Sequence, residues 1–74
     1  MKRTLFIAHA KDNLQEETKE TPRYIFIDSI ESVEVMPAYS EHKIKIVTCS
    51  GKIHFARESI QEWLHAFEQY TKEN

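Results

Sequence analysis

The only glycine of this 74-residue chain constrains its fold more than any other residue. Gly51 follows Ser50 between two runs in which apolar and polar residues alternate, as they do in a half-buried β-strand. Glycine supplies the positive φ angle of a tight turn without steric cost. The sequence therefore predicts a β-hairpin, with strands near 42–49 and 52–56 and a two-residue loop between them.

The register of this hairpin follows from the length of its loop. With a two-residue loop, Thr48 lies opposite Ile53 and Ile46 lies opposite Phe55. This register puts the apolar residues of both strands on one face and the polar residues on the other, so it is the register that we expect. The predicted core face contains Ile44, Ile46, Ile53 and Phe55.

An amphipathic helix is predicted near residues 59–72. Ser59 and Glu62 fit a capping box, in which each side chain accepts a hydrogen bond from the backbone of the other. Large apolar residues then recur at helical spacing and form one stripe along the helix. We expect this stripe to pack on the core face of the hairpin. Its members are Ile60, Trp63, Leu64 and Phe67.

Three further segments, near residues 4–10, 23–28 and 31–36, have the composition of strands. The polar stretch 11–22 is rich in acidic residues and is predicted to be a flexible connection. A chain with 41% hydrophobic and 30% charged residues can fold, and its length allows a single domain, 1–74. The predicted fold class is α+β, with a curved antiparallel sheet of four to five strands, a partial barrel, closed by the C-terminal helix.

Two of the predicted strands are apolar on both faces. Tyr24 and Phe26 point away from Ile25 and Ile27, and Phe6 points away from its neighbours in the first strand. One helix cannot cover both faces of such a sheet, so the second face is buried by curling of the sheet or by another molecule. We therefore expect a protein interface at Phe6, Tyr24 and Phe26, or at an open strand edge. The expected partner is a second copy, giving a homodimer, or another protein in a larger assembly.

Roughly the last fifty residues resemble a pleckstrin-homology domain, in which a last strand leads into a helix with a central tryptophan. Upstream, 25–35 followed by 44–48 and 50–52 is similar to the strands of bacterial pleckstrin-homology-like proteins. The residues that resemble the end of the domain are Phe55, Ala56, Ser59, Glu62, Trp63, Leu64, Ala66 and Phe67. The resemblance implies a truncated barrel used for protein contacts. It does not extend to the basic lipid-headgroup loop of the family, because the equivalent connection here is acidic.

The polar face of the predicted hairpin is basic. A basic sheet face can follow a nucleic-acid backbone, so nucleic-acid binding is the alternative function. Against it, the net charge is −2 and the aromatic residue of the hairpin is expected on the core side. A third possibility, a pleckstrin-like membrane-surface module, is disfavoured by the acidic connection. The residues of the nucleic-acid alternative are Lys43, Lys45, Lys52, His54 and Arg57.

The sequence contains no pattern typical of a catalytic, cofactor or metal site. Cys49 and His54 lie close together on the predicted hairpin, but zinc needs three or four ligands, and a Cys–His nucleophile there would lie at an exposed tip. We therefore predict a non-enzymatic protein-interaction or regulatory module without a cofactor or a small-molecule substrate. One cysteine, no secretory signal and no long apolar run predict a cytoplasmic protein without a membrane span.

Overall fold

The computed structural model describes residues 4–12 and 19–73, which form five antiparallel strands and one long helix. The elements are β1 (Leu5–Lys11), β2 (Thr21–Phe26), a short 3-10 helix (Ile27–Ser29), β3 (Ile30–Val35), β4 (Ile44–Thr48), β5 (Ile53–Ala56) and α1 (Ile60–Glu73). This confirms the predicted fold class: an α+β fold whose sheet is curved and open, without closing into a barrel. Residues 13–18 of the predicted flexible connection lie outside the described residues.

The short link between β2 and β3 forces the sheet to curve. In the strand order β2-β1-β5-β4-β3, these two consecutive strands occupy opposite edges. Four strand spacings of about 4.8 Å would separate them by about 19 Å in a flat sheet. The chain from Phe26 to Ile30 spans at most about 14 Å, and less when it is wound into a 3-10 helix. The sheet therefore bends until the end of β2 and the start of β3 are close enough for the 3-10 helix to join them, although the two strands do not pair.

The concave face of this sheet holds the core. Phe6 of β1 lies opposite Ile25 of β2, and both are buried. Trp63 of α1 packs edge-on against Phe6, with the ring centroids 5.4 Å apart. The buried apolar residues are Phe6, Ala8, Ala10, Ile25, Ile27, Ile44, Ile46, Ala56 and Trp63.

The predicted capping box is present at the start of α1. The backbone N–H of Glu62 donates to Ser59 Oγ at 3.2 Å, and the backbone N–H of Ser59 donates to Glu62 Oε2 at 2.9 Å. These two bonds satisfy donors that the first turn of a helix leaves without a partner. They fix where the helix begins, and hence where Trp63 enters the core.

The β4–β5 hairpin is shifted by one residue from the predicted register. Ile46 lies opposite His54 and not opposite Phe55. Because neighbouring residues of a strand point to opposite faces, the shift turns β5 over, so that His54 and Ala56 face the core. The assignment of Ile53 and Phe55 to the core is therefore wrong: Ile53 is exposed and Phe55 is half-buried on the convex face.

The conformation of the loop explains the shift. Gly51 donates its backbone N–H to the carbonyl of Thr48, and Thr48 donates to the carbonyl of Lys52, so residues 49–51 form a three-residue loop. A two-residue loop of type I′ would need a positive φ angle at Ser50 as well as at Gly51. Among the described residues Gly51 alone has a positive φ, of 87°. A three-residue loop needs that angle at its last residue, which is the glycine.

The apolar stripe of α1 is partly uncovered. Trp63 is buried and Ile60 is half-buried, but Leu64 and Phe67 are 54% and 42% exposed. Leu64 projects about 100° around the helix from Trp63. The ring of Phe67 packs against that of Trp63 on its own helix, with the centroids 5.7 Å apart. The assignment of Leu64 and Phe67 to the core is therefore wrong, because the stripe is wider than the contact between helix and sheet.

Replacing Phe6 by alanine should lower the free energy of unfolding by about 3 to 5 kcal/mol, because it empties a core position and removes the contact with Trp63. The matched control is Phe26→Ala, on the opposite face, which should cost about 1 kcal/mol. Urea unfolding of dilute protein, followed by the fluorescence of the single tryptophan, measures both. Equal losses in the two variants would contradict the placement of Phe6 in the core.

Replacing Gly51 by alanine should destabilise the domain by about 1 to 2 kcal/mol, the cost of a left-handed backbone conformation for a residue with a Cβ atom. A Cβ atom at this position would meet no atom within 4 Å, so a clash cannot cause the loss. Gly51→Asn is the control, since asparagine tolerates this conformation better and should be less destabilising. Thermal unfolding compares the two variants. An unchanged melting temperature for Gly51→Ala would mean that the loop can re-form without a positive φ angle.

Candidate functional site

Four large apolar side chains lie together on the convex face of β1 and β2. Leu5 lies opposite Phe26, and Ile7 lies opposite Tyr24, in the antiparallel pair. Side chains opposite each other on one face are close neighbours, so the four form one continuous surface. They are 37% to 66% exposed. We call this surface the β1–β2 patch.

Phe6 does not belong to the β1–β2 patch, although the sequence analysis placed it with Tyr24 and Phe26. The register between the strands puts Phe6 opposite Ile25, on the concave face, where it is 5% exposed. Alternation fixes which residues of one strand share a face, but it does not say which face of the next strand they meet. The patch residues that the sequence analysis missed are Leu5 and Ile7, and the register of β1 against β2 is the signal that identifies them.

An ionisable pair borders one end of the patch. His9 and Pro22 form a further cross-strand pair along the same face. His9 Nδ1 lies 2.7 Å from Glu58 Oε2, and the backbone N–H of His9 donates to Glu58 Oε1 at 2.9 Å. The hydrogen bond and the charge of Glu58 raise the pKa of His9 above its ordinary value. The patch thus has an apolar centre and a polar border, the arrangement that protein interfaces use.

The five basic residues of the nucleic-acid alternative do not share one surface. Lys45 points to the convex face, whereas His54 is buried on the concave face. Arg57 binds the carboxylates of Glu20 and Glu41, which balance its charge. The remaining two residues, at opposite ends of the hairpin, are Lys43 and Lys52. The shifted register and these ion pairs disperse the basic face that the sequence predicted.

A cleft of about 710 Å³ lies between β2 and the tip of the hairpin, and we call it the β2 cleft. Arg23 reaches across it: its Nη1 lies 2.9 Å from His54 Nδ1 and 2.5 Å from Asp12 Oδ1. Burial, followed by the charges of Arg23 and Lys52, lowers the pKa of His54. Because a guanidinium group can only donate, His54 Nδ1 accepts the hydrogen bond from Arg23. The hydrogen bond and charge of Arg23 lower the pKa of Asp12.

Comparison with protein-family models, with curated proteins and with solved structures finds no match for this chain. The resemblance to pleckstrin-homology domains stays a prediction. Among the residues that the structure describes, no three His, Cys, Asp or Glu side chains are grouped to hold a metal ion. Over the same residues, no helix has the length and apolar character needed to cross a membrane.

His54 and His9 should titrate on opposite sides of the ordinary imidazole pKa of 6.5, His54 below it and His9 above it. As the pH falls, His54 is protonated in the unfolded chain at a higher pH than in the folded chain. The contribution of His54 to stability is therefore complete above pH 6.5 and decreases as the pH falls below it. The contribution of His9 has the opposite sign: it is present below pH 6.5 and is lost as the pH rises through its raised pKa.

Proton NMR of the imidazole Hε1 signals measures both titrations separately. The variant Lys52→Gln should move the pKa of His54 back towards 6.5, since it removes one of the charges that lower it, and should leave His9 unchanged. A His54 pKa at or above 6.5 in the native chain would contradict the burial of this imidazole beside Arg23.

Proposed function

We propose that this chain is a non-enzymatic protein-interaction module that forms a homodimer through the β1–β2 patch. The observation that carries the proposal is the pairing of Leu5 with Phe26 and of Ile7 with Tyr24 on the face turned away from the core. Exposed apolar surface that is contiguous, and not scattered, marks interaction sites on small proteins. The resemblance to pleckstrin-homology domains supports the same class, since it implies a partial barrel used for protein contacts.

The extent of the patch suits a dimer interface. A large side chain has roughly 200 Å² of surface, so the exposed fractions of the four residues leave roughly 400 Å² of apolar surface. A stable interface buries about 800 Å² on each partner, and its centre is more apolar than its rim. The β1–β2 patch has the size of such a centre, and neighbouring polar groups such as His9 supply a rim.

A second copy of the chain is the partner that the chemistry favours. The four patch residues are uncharged, so a two-fold axis through the patch brings no like charges together. In such an isologous contact the same surface serves both partners, and each cross-strand pair meets its equivalent. A 74-residue chain with one small core gains stability from burying this surface. The nucleic-acid alternative has less support, because its basic residues are dispersed.

Replacing Ile7 by glutamate should convert the homodimer into a monomer, because each partner would then bury a charge at the centre of the interface, next to the same charge of the other. Sedimentation equilibrium from micromolar to millimolar concentration measures the mass. The native chain should approach twice its 8.8 kDa, whereas Ile7→Glu should remain at 8.8 kDa with an unchanged circular dichroism spectrum.

The matched control is Leu64→Glu, which puts the same charge on an exposed apolar position of α1, outside the patch. This variant should dimerise like the native chain. A native chain that stays monomeric over the whole range would refute the proposal. Dissociation by Leu64→Glu with no effect of Ile7→Glu would also refute it, and would place the interface on the helix.

A further inference from the structure

We infer that the β2 cleft binds an extended peptide segment of a partner protein, in which acidic and apolar side chains alternate, by adding it as a strand to the edge of β2. The site borders the proposed dimer contact and shares Tyr24 and Phe26 with it, but its specificity would come from Arg23 and Lys52, which lie outside the β1–β2 patch. Three features support the inference, namely the direction of the backbone groups of β2, the charges in the cleft and the apolar side chains beside it.

The first feature is the orientation of the β2 backbone. Within residues 4–12 and 19–73, β2 is an edge strand that pairs with β1 alone. The backbone N–H of Ile27 donates to the carbonyl of Thr4 at 2.9 Å. In an antiparallel ladder alternate residues turn their N–H and C=O groups to the same side, so Arg23 and Ile25 also turn theirs towards β1. The N–H and C=O of Tyr24, which lies between them, point to the open side of the strand, where Tyr24 lines the cleft.

The usable edge is short and has defined ends. Pro22 lies two residues from Tyr24, so its carbonyl also points to the open side of the strand, although proline has no N–H group to offer. At the other end the carbonyl of Phe26 accepts a hydrogen bond of 2.7 Å from Ser29 Oγ. A partner strand therefore pairs at Pro22 and Tyr24, which accommodates a segment of roughly five residues, and recognition by strand addition uses such exposed edges.

The second feature is the charge of the cleft. Among the described residues, its lining contains two cationic side chains, Arg23 and Lys52, and no carboxylate. Asp12, which binds Arg23, stands outside this lining and balances one of the two charges. The lowered pKa of His54 agrees with this excess, because the charges of both cations contribute to it after burial. Excess positive charge in a cleft attracts an acidic segment and orients it.

The third feature is the contrast between the two faces of β2. Arg23 points to the concave face, where it reaches His54, while Tyr24 and Phe26 point to the convex face and are exposed. A strand added beside β2 continues both faces, since directly opposite residues share a face. Its acidic side chains would then lie beside Arg23 and its apolar side chains beside Tyr24 and Phe26. An all-acidic or an all-apolar segment would satisfy one face alone.

The test uses a capped six-residue peptide in which valine and glutamate alternate, titrated into ¹⁵N-labelled full-length protein. The amide shifts should change along β2 and at the hairpin tip. Lys52→Gln should weaken binding roughly tenfold, the loss expected for a contact to a charged group. The matched control is Lys72→Gln, which removes an exposed lysine of α1 that pairs with Glu68, and it should bind like the native chain.

Two altered peptides separate the features. A peptide with glutamine in place of glutamate should bind at least roughly tenfold more weakly, since it lacks the charges that face Arg23 and Lys52. A peptide with methylated backbone nitrogens should not bind, since it cannot donate to the edge of β2. Unchanged affinity for either altered peptide, or no effect of Lys52→Gln, would overturn the inference, and so would the absence of binding by the parent peptide.

The proposed dimer contact and the proposed peptide site can be tested separately. Ile7→Glu changes a patch residue outside the cleft lining, so a monomeric Ile7→Glu variant should still bind the peptide. Protection of the Tyr24 amide against hydrogen exchange in the native dimer without peptide would overturn the inference, because it would mean that a second copy occupies the edge of β2.

Discussion

The three-residue link between β2 and β3 is the constraint on which the rest of the structure depends. Because Ile27–Ser29 is too short to join the edges of a flat sheet, the sheet must curve, and curvature makes its two faces unequal. The concave face is narrow, and small residues, Ala8, Ala10 and Ala56, occupy its centre with no exposed surface. Ala10 lies opposite Ala56 where β1 meets β5, which lets the strands bend around the core. The convex face is left to the solvent.

The helix α1 covers the concave face of the sheet and leaves the convex face exposed. α1 contributes Trp63 to the core and packs it against Phe6, but Leu64 and Phe67 of its apolar stripe extend beyond the contact. A domain this small buries roughly 60% of the surface of its unfolded chain, so its stability is modest. Uncovered apolar surface on the convex face therefore matters more here than in a larger protein. In the proposed homodimer, a second copy would cover this surface and add stability that the chain cannot supply alone.

The elements could be predicted from the sequence because their signals are local, whereas the pairing between them could not. Alternation, the capping box and the single glycine lead to bounds that lie within two residues of those observed. The hairpin register depends on the φ angle of Ser50. Both faces of β5 carry apolar residues, Ile53 and Phe55 on one face and Ala56 on the other, so either face could be assigned to the core. Alternation alone therefore could not tell that His54 faces inward. Alternation also could not show how β1 pairs with β2. The predicted interface therefore contained Phe6 in place of Leu5 and Ile7, whereas Tyr24 and Phe26 were correctly placed on the outer face.

Exposed apolar residues occur on several elements, but β2 combines two departures from the rule of apolar inside and polar outside. On its convex face Tyr24 and Phe26 expose apolar surface to water, and on its concave face Arg23 reaches a buried imidazole. Both arrangements are unfavourable for an isolated domain, since one leaves apolar area solvated and the other partly desolvates a charge. Departures from local consistency concentrate where a protein binds something. β2 carries one such departure on each face, at an open sheet edge, and this combination supports the proposal that the strand binds a partner.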